Sequence, residues 1–136
     1  MKKLLILLCA SALFAVGCAT TLELEVGTCF QDPDGLEITD VDEVDCTEPH
    51  DNEVFHLLQL ADGDFPGREA ITSQAGDGCT GAFEAYVGRD FPSSEYFLSF
   101  IAPSEDSWDR ADDREVICYL FIPGEQTSTS ARGSGR

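Results

Sequence analysis

Basic residues are scarce in this chain. Its 136 residues include 8 lysines and arginines but 26 aspartates and glutamates, which gives a formal charge of −18 at pH 7. The only lysines are Lys2 and Lys3, so arginine supplies every other basic side chain. A surface of this sign repels phosphate backbones and anionic lipid headgroups. We therefore exclude nucleic-acid binding.

Motifs of common catalytic and metal sites are also missing. The sequence has no G-x-S-x-G motif, no glycine-rich phosphate loop and no C-x-x-C pair. Its two histidines, His50 and His56, are too far apart along the chain to form the H-E-x-x-H zinc motif. We predict a protein that is not an enzyme and that uses no cofactor and no metal.

No apolar run reaches the roughly 20 residues that a membrane-spanning helix needs. The run Leu4 to Val16 follows two lysines and precedes small residues, which is typical of an export signal. The four residues that end at Cys18, Ala-Val-Gly-Cys, resemble a bacterial lipobox, in which the cysteine is acylated after cleavage. We predict a signal peptide at 1–17 and a lipid anchor at Cys18. Ordinary cleavage that leaves a free secreted protein is the alternative.

The rest of the chain divides into three parts by composition. We predict an anchor and short tether at 18–25, although the alternation of Leu22, Leu24 and Val26 with glutamates also fits a half-buried strand. The folded domain is predicted at 26–123. Residues 124–136 are rich in Gly, Ser, Thr and Arg without an apolar period, a composition that predicts a flexible tail.

Four cysteines follow the predicted anchor: Cys29, Cys46, Cys79 and Cys118. An even number of cysteines in an exported domain favours disulfides over a zinc site. Three pairings are possible. We favour Cys29 with Cys46 and Cys79 with Cys118, because each pair closes a moderate loop within one half of the chain.

The hydrophobic pattern predicts strands and one helical region. Val54 to Leu60, Glu95 to Ala102 and Glu115 to Ile122 are rich in β-branched and aromatic residues between turn signals. Arg68 to Gly88 has a helical apolar period, and its glycines predict a kink or break near Asp77. The fold class is therefore α+β, with a small, mainly antiparallel sheet of three or four strands, a helix or kinked helix pair on one face, and two disulfides.

The acidic segment 32–53 raises the possibility of calcium binding. Its spacing does not match an EF-hand loop, because Leu36 and Glu37 stand where an acidic ligand and the glycine are needed. A solvated acidic surface is the ordinary interpretation, and an irregular calcium site is the alternative. At the end of this segment we assign Pro49 and His50 to a structural turn, because a lone histidine lacks the further ligands or the nucleophile that chemistry needs.

Trp108, Arg110 and Arg114 are the candidate partner-binding residues. Tryptophan and arginine are enriched at the energetic centres of protein interfaces. The alternative is that Trp108 closes one end of the core while an arginine stacks on it.

Several short motifs follow one another along the chain. They are VGTCF at Val26–Phe30, VDCTEPHDNEVF at Val44–Phe55, FPG at Phe65–Gly67, Cys79 with Phe83 and Tyr86, Pro103, Trp108, and DREVIC at Asp113–Cys118. In order and spacing they resemble the bacterial septum formation domain family. The resemblance implies a domain of the cell envelope with a link to cell division, and it implies no catalytic residues. The chain has Thr129-Ser130 where that family closes on Gly-Ser, so it stays open whether the tail folds back as a final strand.

The sequence thus predicts a non-enzymatic, lipid-anchored domain outside the cytoplasm, which binds a cell-division or cell-wall protein through the Trp108 loop. A calcium-binding module built on 32–53 is the second hypothesis. An envelope hydrolase is the third.

Overall fold

The computed structural model describes residues 21–35 and 38–136. The strands are β1 (Cys29–Phe30), β2 (Glu43–Val44), β3 (Asn52–Gln59), β4 (Phe97–Ile101) and β5 (Glu115–Phe121), and the helices are α1 (Arg68–Val87) and α2 (Glu105–Ala111). The predicted signal peptide and Cys18 lie outside the described residues. No helix in the described ranges has the length and apolar character needed to cross a membrane.

The strands form one antiparallel sheet in the order β2-β1-β3-β5-β4. The apolar strands β3 and β5 are neighbours inside the sheet, and they pair from Asn52 opposite Phe121 to Gln59 opposite Glu115. The α+β fold class is confirmed. The sheet has five strands rather than three or four, because the two-residue strands β1 and β2 are too short to carry a recognisable hydrophobic pattern.

Helix α1 runs without a break through its three glycines, so the predicted helix pair near Asp77 is wrong. Its buried side chains pack on one face of the sheet, and this packing outweighs the roughly 1 kcal/mol that a glycine costs in a helix. Gly78 has a specific role, because a Cβ atom there would lie 2.6 Å from Leu58 Cδ2. A side chain at that position would have to displace the end of the Leu58 side chain. The buried residues of α1 are Ile71, Ala75, Cys79, Phe83, Tyr86 and Val87.

Both predicted disulfides are present. Cys79 in α1 is bonded to Cys118 in β5 and joins the helix to the sheet, while Cys29 in β1 is bonded to Cys46 just after β2. The first bridge lies in the core between α1 and the sheet, where both cysteines are fully buried. The second closes the acidic segment, which offers few apolar contacts of its own.

A second, smaller core covers part of the other face of the sheet. Leu24, Phe30, Val54 and Ile117 are buried there, and Leu22 and Val41 pack against them. Residues 21–26 form no strand, so that alternative is wrong. Leu24 is nevertheless buried and Leu22 packs beside it, so part of the predicted tether 18–25 belongs to the folded domain.

The C-terminal segment 124–136 is packed on the domain, so its prediction as a flexible tail is wrong. Ala131 is buried, and the N–H groups of Gly133 and Gly135 donate to the carbonyls of Tyr86 and Val87 at the end of α1. Thr127 exchanges two backbone hydrogen bonds with His50, at 2.9 and 3.0 Å. Backbone and side-chain hydrogen bonds hold this segment in place. The sequence-based prediction missed it because it relied on apolar periodicity, which does not indicate such bonds.

Candidate functional site

The predicted binding patch around Trp108 is not exposed to solvent at its tryptophan. Trp108 lies in α2, which begins after the capping box formed by Ser104 and Ser107, and its side chain is only 3% exposed. Its indole N–H donates to the Gly63 carbonyl at 2.9 Å, and Phe65 packs edge-on against the ring. Trp108 therefore closes one end of the core, which was the alternative interpretation.

The two arginines near Trp108 also have local partners. The Arg114 guanidinium lies 3.8 Å from the centre of the indole ring and donates to the carbonyls of Trp108 and Asp113. Arg110 is exposed and forms an ion pair with Asp106 one turn earlier in α2. The structure does not bring Trp108, Arg110 and Arg114 together as an open recognition patch, because two of the three side chains are largely buried.

A buried carboxylate on β3 is the centre of a polar cluster. Glu53 is 1% exposed and accepts hydrogen bonds from the Tyr86 hydroxyl at 2.6 Å, the Ser130 hydroxyl at 2.5 Å and the Ala131 N–H at 2.7 Å. It therefore joins β3, the end of α1 and the C-terminal segment. Burying a carboxylate is tolerated only when its lone pairs are satisfied in this way.

The Tyr86 hydroxyl in this cluster is held in its neutral form. Burial raises the pKa of Tyr86 far above its usual value, and the hydrogen bond to the Glu53 carboxylate raises it further. Folding thus favours the protonated phenol, and this stabilisation is present below the unfolded pKa of about 10 and is lost as pH rises towards the folded value.

We therefore expect the free energy of unfolding to fall as pH increases above about 10. Substituting Tyr86→Phe removes the titrating group, so the variant, although less stable at neutral pH, should lose less stability over the same interval. Urea unfolding of both proteins between about pH 8 and 11 measures the difference. Equal slopes against pH would contradict the role given to Tyr86.

His50 and Pro49 occupy the predicted structural turn. His50 is 2% exposed, its Nδ1 donates to the Glu48 carbonyl at 2.9 Å, and its Nε2 lies 3.1 Å from the Thr127 hydroxyl. The Pro49 carbonyl accepts a hydrogen bond from the Gln31 side chain at 2.8 Å. The Nδ1 of His50 therefore holds the turn itself, and its Nε2 connects the turn to the C-terminal segment.

One group of side chains in the described ranges has the spacing of a metal site. Ligand atoms of Cys29, His50 and Glu53 lie within 4.8 Å of one another, and all three residues are buried. The Cys29 sulfur is bonded to Cys46, however, so it offers no thiolate, which is the form that binds metals. The nitrogens of His50 and the oxygens of Glu53 already have hydrogen-bond partners. In the oxidised protein this group is a structural cluster and does not fit a metal ion.

Apart from His50 and Glu53, no described residue of the acidic segment 32–53 belongs to a group with the spacing of a metal site. The Asp45 carboxylate accepts hydrogen bonds from the N–H and hydroxyl of Thr47, and the first of these chiefly lowers its pKa. Asp32 Oδ1 accepts from the Asn52 side chain. Calcium binding by this segment stays a prediction, which a calorimetric titration with calcium would test.

Exposed Phe97 in β4 and half-buried Tyr119 and Phe121 in β5 form what we call the aromatic strip. Phe97 is 54% exposed, and its ring centre lies 6.1 Å from that of Phe121. Phe121 lies 6.3 Å from Tyr119, which in turn packs edge-on against buried Phe30. The strip lies on the sheet face opposite α1, where the second core leaves the end of β4 and β5 uncovered.

An open cleft of about 430 Å³ begins where the strip ends. Tyr119 and Phe121 contribute aromatic walls, and Asp32, Asp51 and Glu125 contribute carboxylates. The loop that follows β5, Ile122 to Gln126, forms its remaining side. The cleft and the strip share two side chains and therefore form one continuous surface, apolar at β4 and acidic at the beginning of β3.

The sequence did not single out the aromatic strip or the role of Glu53. A glutamate within a largely apolar strand indicates a buried carboxylate that accepts hydrogen bonds. The donors to Glu53 cannot be found from the sequence, because they are 33 and 77 or more residues away along the chain. Phe97 looks like a core residue in the sequence, because exposure cannot be distinguished from burial by residue type alone.

Comparison with known proteins places the chain in a family. The family model described as Septum formation matches residues 24–135. Uncharacterised membrane proteins of Mycobacterium tuberculosis strains CDC 1551 / Oshkosh and ATCC 25618 / H37Rv are each 28% identical over 110 residues, which cover 72% of this chain. The match covers 24% of each relative, so the chain spans about a quarter of their length. No solved structure matches. The chain belongs to the Septum formation family.

Proposed function

We propose that this protein is a non-enzymatic, lipid-anchored binding domain of the cell envelope that acts in septum formation by holding a protein partner on the aromatic strip. Membership of the Septum formation family supports the cell-division context. Two relatives are described as membrane proteins, which supports a place at a membrane. The lipobox-like residues before Cys18 support a lipid as the means of attachment.

The observation that carries the binding role is the exposure of Phe97. A phenylalanine that is 54% exposed beside two further aromatic rings gives an apolar surface that water solvates poorly. Aromatic side chains supply much of the binding energy at protein interfaces.

The position of the strip on the sheet also supports a partner. Strand β4 pairs only with β5 in the described chain and is therefore an edge strand. Its sequence, FLSFI, contains no charge and no proline, although natural proteins usually protect edge strands with such residues. An unprotected apolar edge strand beside exposed Phe97 would promote aggregation unless another molecule covers it.

Photo-crosslinking in cells tests this proposal. A photo-reactive phenylalanine analogue replaces Phe97 in the full chain, and the same analogue at Thr80, an exposed position on α1, is the matched control. We expect a discrete protein adduct from position 97 and none from position 80. Absence of an adduct at 97, or the same adducts from both positions, would remove the binding role.

The contribution of the lipid is tested by Cys18→Ser in the same crosslinking strain. We expect the variant to leave the membrane fraction and to lose most of the adduct at position 97, because the anchor holds the domain near its partner. Two lipid chains are needed for a stable anchor, so intact mass should show a multiply acylated Cys18 as the N-terminus. A mature N-terminus at any other residue would refute the lipid anchor. The binding role would then be judged by the adduct at position 97 alone.

A further inference from the structure

We propose that the partner presents a cationic segment to this surface, with an arginine side chain in the acidic cleft and an apolar neighbour on Phe97 and Phe121. The inference rests on the proposed function, because it names the chemistry of the partner that the aromatic strip holds. Four observations lead to it: the uncovered sheet face, the unpaired carboxylates, the aromatic walls and the charge of the whole chain.

The uncovered part of the sheet face is limited to the aromatic strip and its surroundings. Elsewhere on that face the second core is covered by the N-terminal residues Leu22 and Leu24 and by Val41. This cover does not extend to Phe97, which remains more than half exposed. The partner therefore needs an apolar side chain at one defined place, next to the cleft.

Two of the three carboxylates of the cleft, those of Asp32 and Asp51, have no cation of their own among the described residues. Asp32 and Asp51 form no ion pair with a described basic residue; they are linked by a hydrogen bond from the Asp32 N–H to Asp51 Oδ2 at 2.9 Å. Glu125 lies 3.9 Å from Arg136, but that arginine is closer to Glu95, at 3.0 Å. The cleft thus has negative charge that a basic ligand would neutralise.

A guanidinium group fits both kinds of wall. It is planar, it can donate two parallel hydrogen bonds to a carboxylate, and it stacks on aromatic faces. Tyr119 and Phe121 offer such faces within the same cleft that Asp32 and Asp51 line. An ammonium group satisfies the charge but does not form the paired hydrogen bonds, so we expect arginine to bind more tightly than lysine.

The negative charge of the chain disfavours two other molecules that could cover this sheet face, a second copy of the chain and an anionic membrane. A second copy of this chain also carries a formal charge of −18 and would bring a second acidic cleft to the interface. An anionic membrane surface is repelled by the same charge. A basic segment of another protein is attracted by it, and charge complementarity of this kind also speeds association.

Binding of a matched pair of peptides tests the inference. The probe is acetyl-Val-Arg-Val-Arg-Val-amide with a fluorophore, and its twin carries citrulline, which has nearly the same shape as arginine without the charge. With the purified full chain in mild detergent, we expect the arginine peptide to bind at least about tenfold more tightly in fluorescence anisotropy. The difference should shrink when salt increases from about 50 to 500 mM, because salt screens exposed charges.

Two isosteric variants locate the binding on the protein. Asp51→Asn removes a cleft charge while an oxygen remains to accept from the Asp32 N–H, and we expect it to weaken arginine-peptide binding about fivefold to tenfold, as for a charge-assisted hydrogen bond. Asp77→Asn makes the same change in net charge at an exposed position on α1. It should change the affinity less than about twofold, since a screened charge on a remote surface contributes little.

Three outcomes would overturn the inference: equal binding of the citrulline twin, no binding of either peptide, or an unchanged affinity in Asp51→Asn. None of these decides the proposed function, which depends on the adduct at position 97 in cells. A crosslinked partner without peptide binding would mean that the strip holds a protein of different chemistry.

Discussion

Replacing Glu53 with alanine is expected to lower the free energy of unfolding by about 3 to 5 kcal/mol, because each buried donor left without an acceptor costs about 1 to 3 kcal/mol. The donors are the Tyr86 hydroxyl and the Ala131 N–H, both of which are buried, together with the Ser130 hydroxyl. The substitution also leaves a cavity where the carboxylate was. The C-terminal segment should then detach locally around Ser130 and Ala131, because the hydrogen bonds of both residues to Glu53 are lost.

Urea unfolding and limited trypsin digestion measure the two parts of this prediction. Glu84→Ala is the matched control, because Glu84 lies on the exposed face of α1. Trypsin should cleave after Arg132 much faster in Glu53→Ala than in the control, since detachment exposes that bond. Equal stability of the two variants would show that the carboxylate is not essential to the fold, and unchanged cleavage would show that the segment is held by other contacts.

Removing the bridge between α1 and the sheet is the other change with a large expected effect. The bonded cysteines Cys79 and Cys118 are 39 residues apart, and loop-closure entropy gives about 4 kcal/mol for a loop of this size. The bridge between Cys29 and Cys46 spans 17 residues, for which the same relation gives about 3 kcal/mol. We therefore expect the double variant Cys79→Ala with Cys118→Ala to unfold at a lower urea concentration than the double variant Cys29→Ala with Cys46→Ala.

The two bridges should also differ in their reactivity with a reductant. Cys79 and Cys118 have no exposed surface, whereas Cys46 is half-buried. A dithiol added to the folded protein should therefore reduce the bridge of Cys46 first, and alkylation followed by mass spectrometry would record the order. Simultaneous reduction of both bridges would mean that the domain opens globally before either sulfur is attacked.

The sequence was sufficient where hydrophobic patterning decides the structure. Strands β3 and β5 are apolar because each contributes side chains to both cores. The helical period of Cys79, Phe83 and Tyr86 places the cysteine of α1 towards β5. The disulfide pairing followed from loop length, and the fold class followed from these elements together.

The sequence was insufficient where polar contacts or exposure decide. The C-terminal segment has a composition typical of disorder, yet hydrogen bonds to Glu53, His50 and the end of α1 fix it in place. Trp108 was assigned to a surface on the basis of residue type, but a hydrogen bond to Gly63 and a stacked arginine hold it inside. The proposed binding surface therefore lies on the opposite sheet face, around Phe97, and not at the Trp108 loop.

The packing of the N-terminal residues on the second face determines how the domain would respond to mechanical tension. Leu22 and Leu24 contact that face only through apolar side chains, whereas β1 is covalently closed at Cys29. Tension applied at the N-terminal end would detach the two leucines and then meet the hydrogen bonds of Gly27 and Thr28 with Val54. Beyond them it would reach Cys29 and the strand pairs of β1 with β2 and β3. The core between α1 and the sheet would be shielded from such a pull.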